Sequence, residues 1–183
     1  MRRNPSTVVV LAGEVPSQTL AAIGRSMNVT LVNTEGDGLD SAADGLRRAA
    51  GITSPYVLVN ADPLAAVAGA WTAMWDVRRD TADTSDFELR AGEVVGAWRA
   101  GRFELPDYYL HISPNDAPDG PPDFYLGPLR SARPNRVAVA VAASPEAQAA
   151  EILHALGSLR HGPWWPPLDE IMASARDFYP ATL

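Results

Sequence analysis

The sequence predicts a single-domain, three-layer α/β fold: a Rossmann-like, doubly wound, mostly parallel sheet with further helices toward the carboxyl end. Three observations point there. Short apolar, β-branched runs alternate with helix-periodic segments three times between residues 7 and 75. Each pair is joined by a short turn, which favours parallel strands with helical crossovers. Finally, 183 residues with 46% apolar and 20% charged side chains suffice to bury one core, so residues 1–183 are read as one domain.

Thr7 to Ala12 form the first buried strand, and Gly13-Glu14-Val15-Pro16 its exit. A helix follows, with Ser17 as cap and Leu20, Ile23 and Met27 as its stripe. Asn28 to Asn33 read as the second strand. Asp40 to Ala50 give a helix that turns Leu39, Ala42, Ala43, Leu46 and Ala49 to the sheet and places Arg47-Arg48 at its carboxyl end. Tyr56 to Val59 are the third strand. Asp62-Pro63 then open the third and most amphipathic helix, running to Arg79, with Asp62 as cap, Pro63 at the first helical position, and Leu64, Val67, Ala68, Trp71 and Trp75 as its stripe.

Beyond the polar connector Asp80 to Ser85, residues 86–105 admit two readings. Ser85 with Glu88 resembles a capping box, and Phe87, Ala91, Val94, Val95 and Trp98 recur at helical spacing, which favours a helix to about Ala100. Gly92 and Gly96 leave a hairpin around Ala100-Gly101 open. Asp107 to Ile112 read as a strand, and residues 113–122 as a long acidic, Pro-rich loop. Phe124 to Leu129 and Arg136 to Ala142 read as two more strands, separated by a turn with Arg130, Arg133 and Arg136. Ser144-Pro145-Glu146 open a helix striped by Ile152, Leu153, Leu156 and Leu159 and closed by His161-Gly162-Pro163. Residues 162–167, containing Trp164-Trp165-Pro166-Pro167, form a rigid bridge to a last helix from Leu168 to Tyr179.

The inventory excludes several chemistries. All fifteen basic residues are Arg and there is no Cys, as suits a GC-rich genome. Without Lys there is no Schiff base, amine base or P-loop lysine; without Cys there is no thiolate nucleophile, disulfide or iron–sulfur centre. The basic start Met1-Arg2-Arg3 is followed by an apolar run that Gly13 and Pro16 interrupt too early for a signal peptide or a span of about 20 residues, so a cytoplasmic protein without membrane association is expected. One Gly in the turn after the first strand is not a dinucleotide fingerprint, and Glu14 there repels phosphate, so no cofactor is expected. His111, His154 and His161 lie at no metal-ligand spacing. The net charge of −7 and the lack of a recognition motif speak against specific nucleic-acid binding.

An open parallel sheet binds ligands beyond the carboxyl ends of its strands. The residues there are Gly13, Glu14, Ser17, Asn33, Thr34, Asn60, Asp62, His111, Ser113, Asn115 and Asp116. Asp62, His111 and Ser113 would suit a small-molecule hydrolase or isomerase, although Asp62 is also explained as a helix cap and His111 as a half-buried strand residue. Ser113 lacks the nucleophile elbow. Arg130 and Arg133 could hold a phosphate or a carboxylate on a partner, and Trp164 and Trp165 could anchor one. The leading expectation is thus a non-enzymatic binding or assembly protein with a protein partner or a second copy of itself, and the alternative is the Asp/His/Ser enzyme.

Overall fold

A computed structural model describes residues 6–36, 38–75, 84–113, 122–141 and 144–178. The five strands are β1 (Thr7–Ala12), β2 (Val29–Val32), β3 (Tyr56–Val59), β4 (Tyr108–Ser113) and β5 (Val137–Val141). They form one all-parallel sheet in the order β2-β3-β1-β4-β5. The first three strands fall where the apolar runs end and begin, because a strand covered on both faces needs apolar side chains in succession.

Helices cover both faces. The alternation along β1 sends Val10 and Ala12 into one core and Val9 and Leu11 into the other. The first core is closed by α2 (Leu39–Ala49), α3 (Ala65–Met74), α4 (Ser85–Arg99) and α7 (Leu168–Arg176). The second is closed by α1 (Ser17–Ile23) and α6 (Pro145–Gly157), which pack on each other. The chain therefore leaves β1 toward the second face, whereas its neighbours β3 and β4 send their connections to the first. In open parallel sheets ligands bind at such a switch, beyond the carboxyl ends of the strands. Gly13 begins that exit at φ 111°, where a Cβ would stand 2.9 Å from the Ile112 carbonyl oxygen; only glycine fits this turn without strain.

Several sequence-based expectations are corrected. Phe124 to Leu129 are not a strand: Tyr125–Leu129 form a π-helical turn that runs into one turn of helix, α5 (Arg130–Ala132). Pro128 has no N–H for the Phe124 carbonyl, which takes the Leu129 N–H at 3.0 Å instead, and the widened turn follows. The segment at 85–99 is a helix through Gly92 and Gly96, which removes the hairpin. Helix α1 ends at Ile23, so Met27 lies outside its stripe and is 99% exposed. Helix α3 starts later than expected, at Ala65 rather than Pro63, and is apolar around most of its circumference, while α2 has the sharper division of faces. Its expected extension beyond Trp75, like the loop over 114–121, lies outside the described residues. Among the described residues no helix is long and apolar enough to cross a membrane.

Candidate functional site

Two of the strand-end residues singled out in the sequence meet at the carboxyl end of the sheet, and a tyrosine joins them. His111 lies in β4 beside Ala12 of β1 and Val139 of β5. Asp62 follows β3. Tyr125, in the π-helical turn, donates its hydroxyl to Oδ2 of Asp62 and stacks its ring on the His111 imidazole, with centroids 5.4 Å apart and planes 22° apart. On the other side of His111, Nε2 stands 3.3 Å from Oδ2 of Asp123. Tyr109, two residues before His111 and so on the same face of β4, is fully buried and packs against Tyr125 at 6.1 Å and Trp165 at 5.8 Å.

Local structure explains why each residue stands where it does. Asp62 accepts from the Leu64 N–H at 2.8 Å through Oδ1 and so caps the Pro63-Leu64 turn ahead of α3, rather than the helix itself. Its second oxygen is left for Tyr125. Asp123 does the same for the π-helical turn, accepting from the N–H groups of Tyr125 and Leu126 at 2.8 and 3.0 Å through Oδ1 and leaving Oδ2 for His111. Each carboxylate spends one oxygen on backbone and turns the other to an aromatic partner.

Burial sets the proton affinities. The Asp62 residue keeps part of its surface, yet protein crowds the carboxyl, and this desolvation raises its pKa from 3.8 to about 6 against the lowering effect of its bonds from Tyr125 and Leu64. Desolvation also pushes the His111 imidazole below its usual value, and Asp123 partly opposes it. The Tyr109 and Tyr125 phenols lie well above theirs, chiefly through burial, with the Asp62 charge adding to it. Two polar atoms of the cluster, Tyr109 Oη and His111 Nδ1, are buried and have no hydrogen-bond partner among the described residues. Natural proteins rarely leave such groups unpaired.

The other candidates have structural occupations. Asn60 accepts from the N–H and hydroxyl of Thr34 and donates to Asn33, tying the ends of β2 and β3 together. Ser17 is the first residue of α1 and makes no side-chain cap. Ser113 is the last residue of β4, its backbone in register with Val141, and its side chain is not among the described positions; Asn115 and Asp116 are also outside them. The arginine turn and the tryptophan bridge prove to be one construction. Arg136 is 91% buried between the rings of Tyr108 and Trp164, each 4.9 Å away, and donates to the carbonyls of Asp107, Gly162 and Pro163 at 2.9 to 3.1 Å. Arg133 donates to the Trp164 carbonyl at 2.6 Å and to Ala132. Trp165 is 5% exposed and donates Nε1 to the Pro106 carbonyl at 2.8 Å, which takes it out of contact with any partner of the folded protein. Of the four residues expected to meet a partner, Trp164, 43% exposed, the exposed Arg130 and the half-buried Arg133 keep open surface, and Trp165 does not.

Asp123, Tyr109 and Tyr125 escaped the sequence reading. The strand expectation for 124–129 hid two of them, although Pro128 inside the run argued against a strand and Asp123 ahead of it had the signature of a cap. Two surface depressions, of 560 and 590 Å³, lie beside β2 and not at this cluster. They are shallow and lined by ordinary surface side chains, so the perturbed groups at the strand ends are the better marker of a site. Among the described residues no three His, Asp or Glu side chains converge as metal ligands. No protein-family model matches the chain, and neither a curated protein nor a solved structure does.

Proposed function

We propose that the protein binds a small polar molecule at the carboxyl ends of β1, β3 and β4 and performs proton-transfer chemistry on it, as a hydrolase or isomerase in which Asp62 and His111 exchange the protons. The observation behind this reading is the pairing of opposite shifts in one cluster. Burial brings a carboxyl up to about 6 and pushes an imidazole down from its usual value, so the two proton affinities are drawn toward each other from opposite sides. Asp123 holds the imidazole by Nε2, and Tyr125 braces it through its ring while its hydroxyl holds Asp62. The cluster meets solvent at Asp123, whose side chain is 34% exposed.

The test is a pH titration of the full chain followed by NMR at the Asp62 carboxyl carbon and the His111 ring. A midpoint near 6 for Asp62 and one below 6.5 for His111 are expected. An Asp62 midpoint near 4, or a His111 midpoint above 7, would remove the acid–base reading.

A second reading, contact with a protein partner or with another copy of the chain, is favoured by Trp164. Its indole is partly exposed yet clamped on Arg136, so little side-chain freedom remains to be lost on docking. Trp164→Ala should then shift the mass of the assembled species in light scattering; an unchanged mass would count against it.

A further inference from the structure

We infer that the ligand of this site is a small neutral molecule that presents a carbonyl-type acceptor to Tyr109 and an adjacent O–H or N–H donor to His111. This rests on the reading of the cluster as a small-molecule site and names what that site selects.

The two buried atoms without partners carry the inference. Tyr109 is 0% exposed and its hydroxyl has nothing to donate to among the described residues; His111 is 9% exposed and its Nδ1 is equally alone. Both side chains project from the same face of β4, two residues apart, and both rings lie against Tyr125. Residues so spaced on a strand have Cα atoms about 6.8 Å apart, so the two rings line one short stretch of the same face. Their polarities are opposite. The Tyr109 phenol, held neutral by burial, keeps its proton and can donate it, which a bare imidazole lone pair cannot. The Asp123 carboxylate facing Nε2 favours the tautomer with its proton there, which leaves a lone pair on Nδ1. The complement is an acceptor next to a donor, as in a hydroxyketone or a carboxamide.

Charge excludes the common anions. Asp62 and Asp123 border the cluster, and among the described residues no guanidinium contributes to the shifts at Asp62, Tyr109, His111 or Tyr125. Arg133 and Arg136 are spent on the bridge, Arg99 on Asp169 and Arg176 on Glu88. A carboxylate or phosphate would enter facing two acids and no cation.

The experiment uses the uniformly ¹⁵N-labelled full chain and three probes, hydroxyacetone, acetamide and acetate, with the His111 ring nitrogens observed by long-range ¹H–¹⁵N correlation. Hydroxyacetone and acetamide should shift Nδ1 saturably, acetate should bind at least about tenfold more weakly, and Tyr109→Phe, which keeps the ring and its packing, should weaken acetamide by about tenfold, the equivalent of one hydrogen bond. Acetate binding as tightly as acetamide would overturn the charge class, and affinity unchanged in Tyr109→Phe would overturn the donor assignment. No saturable shift with any probe would overturn the ligand class altogether. If the Asp62 and His111 midpoints still fall as proposed above, only the ligand class is lost; if they do not, the acid–base site is lost with it.

Discussion

Replacing Tyr109 by Phe should stabilise the ligand-free protein. The ring is fully buried and packs edge-on against Trp165 and tilted against Tyr125, contacts that Phe retains. The hydroxyl, by contrast, has no partner among the described residues, and a buried polar group left unpaired costs about 1–3 kcal/mol. Deleting one oxygen forfeits a few tenths of a kcal/mol of dispersion. The net gain is about 1–2 kcal/mol, which for a chain of this size raises Tm by roughly 2–8 °C. Tyr125→Phe is the contrast, because that hydroxyl donates to Asp62 and its loss leaves the carboxyl without the bond; it should cost about 1–3 kcal/mol. Thermal melts and urea titrations of the two variants beside the parent measure both, with unchanged urea slopes as the check that the unfolded state is not altered. A Tyr109→Phe protein less stable than the parent by about 1 kcal/mol or more would show that the hydroxyl is bonded in the folded state and is no free donor for a ligand. A stabilising outcome marks a group retained at a cost to the fold, which is what functional sites do.

Two further expectations concern pH and the tryptophans. Asp62 has a folded-state pKa raised from 3.8 to about 6, so its contribution to stability is complete below about pH 4 and disappears as pH rises through 6, a loss of about 3 kcal/mol in all. His111, lowered below 6.5, contributes in the opposite sense: its share is present above 6.5 and is lost as pH falls through its folded-state value. Urea midpoints taken from pH 4 to 7 should therefore show a parent-minus-Asp62→Asn difference that declines with rising pH, and a difference independent of pH would contradict the carboxyl's burial. At the bridge, Trp165→Ala should cost about 3–5 kcal/mol, because it opens a cavity beside Tyr109 and strands the Pro106 carbonyl, whereas Trp164→Ala should cost only about 1 kcal/mol, the worth of a part-exposed cation–π contact. Equal costs in denaturation experiments would sink the assignment of one indole to the core and the other to the surface.

Much of the fold was legible because it depends on local patterns. Runs such as Val8-Val9-Val10-Leu11 become β1 because they are short and β-branched, which suits a strand covered on both faces better than a helix. Helix α2 is set by its spacing, with Ala42, Ala43, Leu46 and Ala49 on one buried face. The segment 124–129 failed for an equally physical reason: Phe, Tyr and Leu favour a strand and a buried irregular turn alike, and Pro128 within the run together with one oxygen of Asp123 ahead of it decide for the turn. Arg136 shows the same limit. Its sequence neighbours suggest a solvated basic turn, but the folded chain brings three carbonyls and two rings around it from segments as far as 29 residues away.

Composition alone limits which side chains are available for chemistry, through what the chain lacks. No Lys and no Cys leave carboxylates, imidazoles, hydroxyls and guanidinium groups to do whatever the protein does. The sequence also determined that Asp62 and His111 follow or end strands of a parallel sheet. It could not determine that they share a neighbour, because Asp62 and Tyr125 are 63 residues apart and meet only once β3, β4 and the π-helical turn are assembled. Proton affinity belongs to the same category. The carboxyl of Asp62 is ordinary in the unfolded chain and reaches about 6 only when the packed protein replaces the water around it. Periodicity and composition act within one segment of chain, whereas desolvation and unpaired polar atoms arise where several segments close on one another.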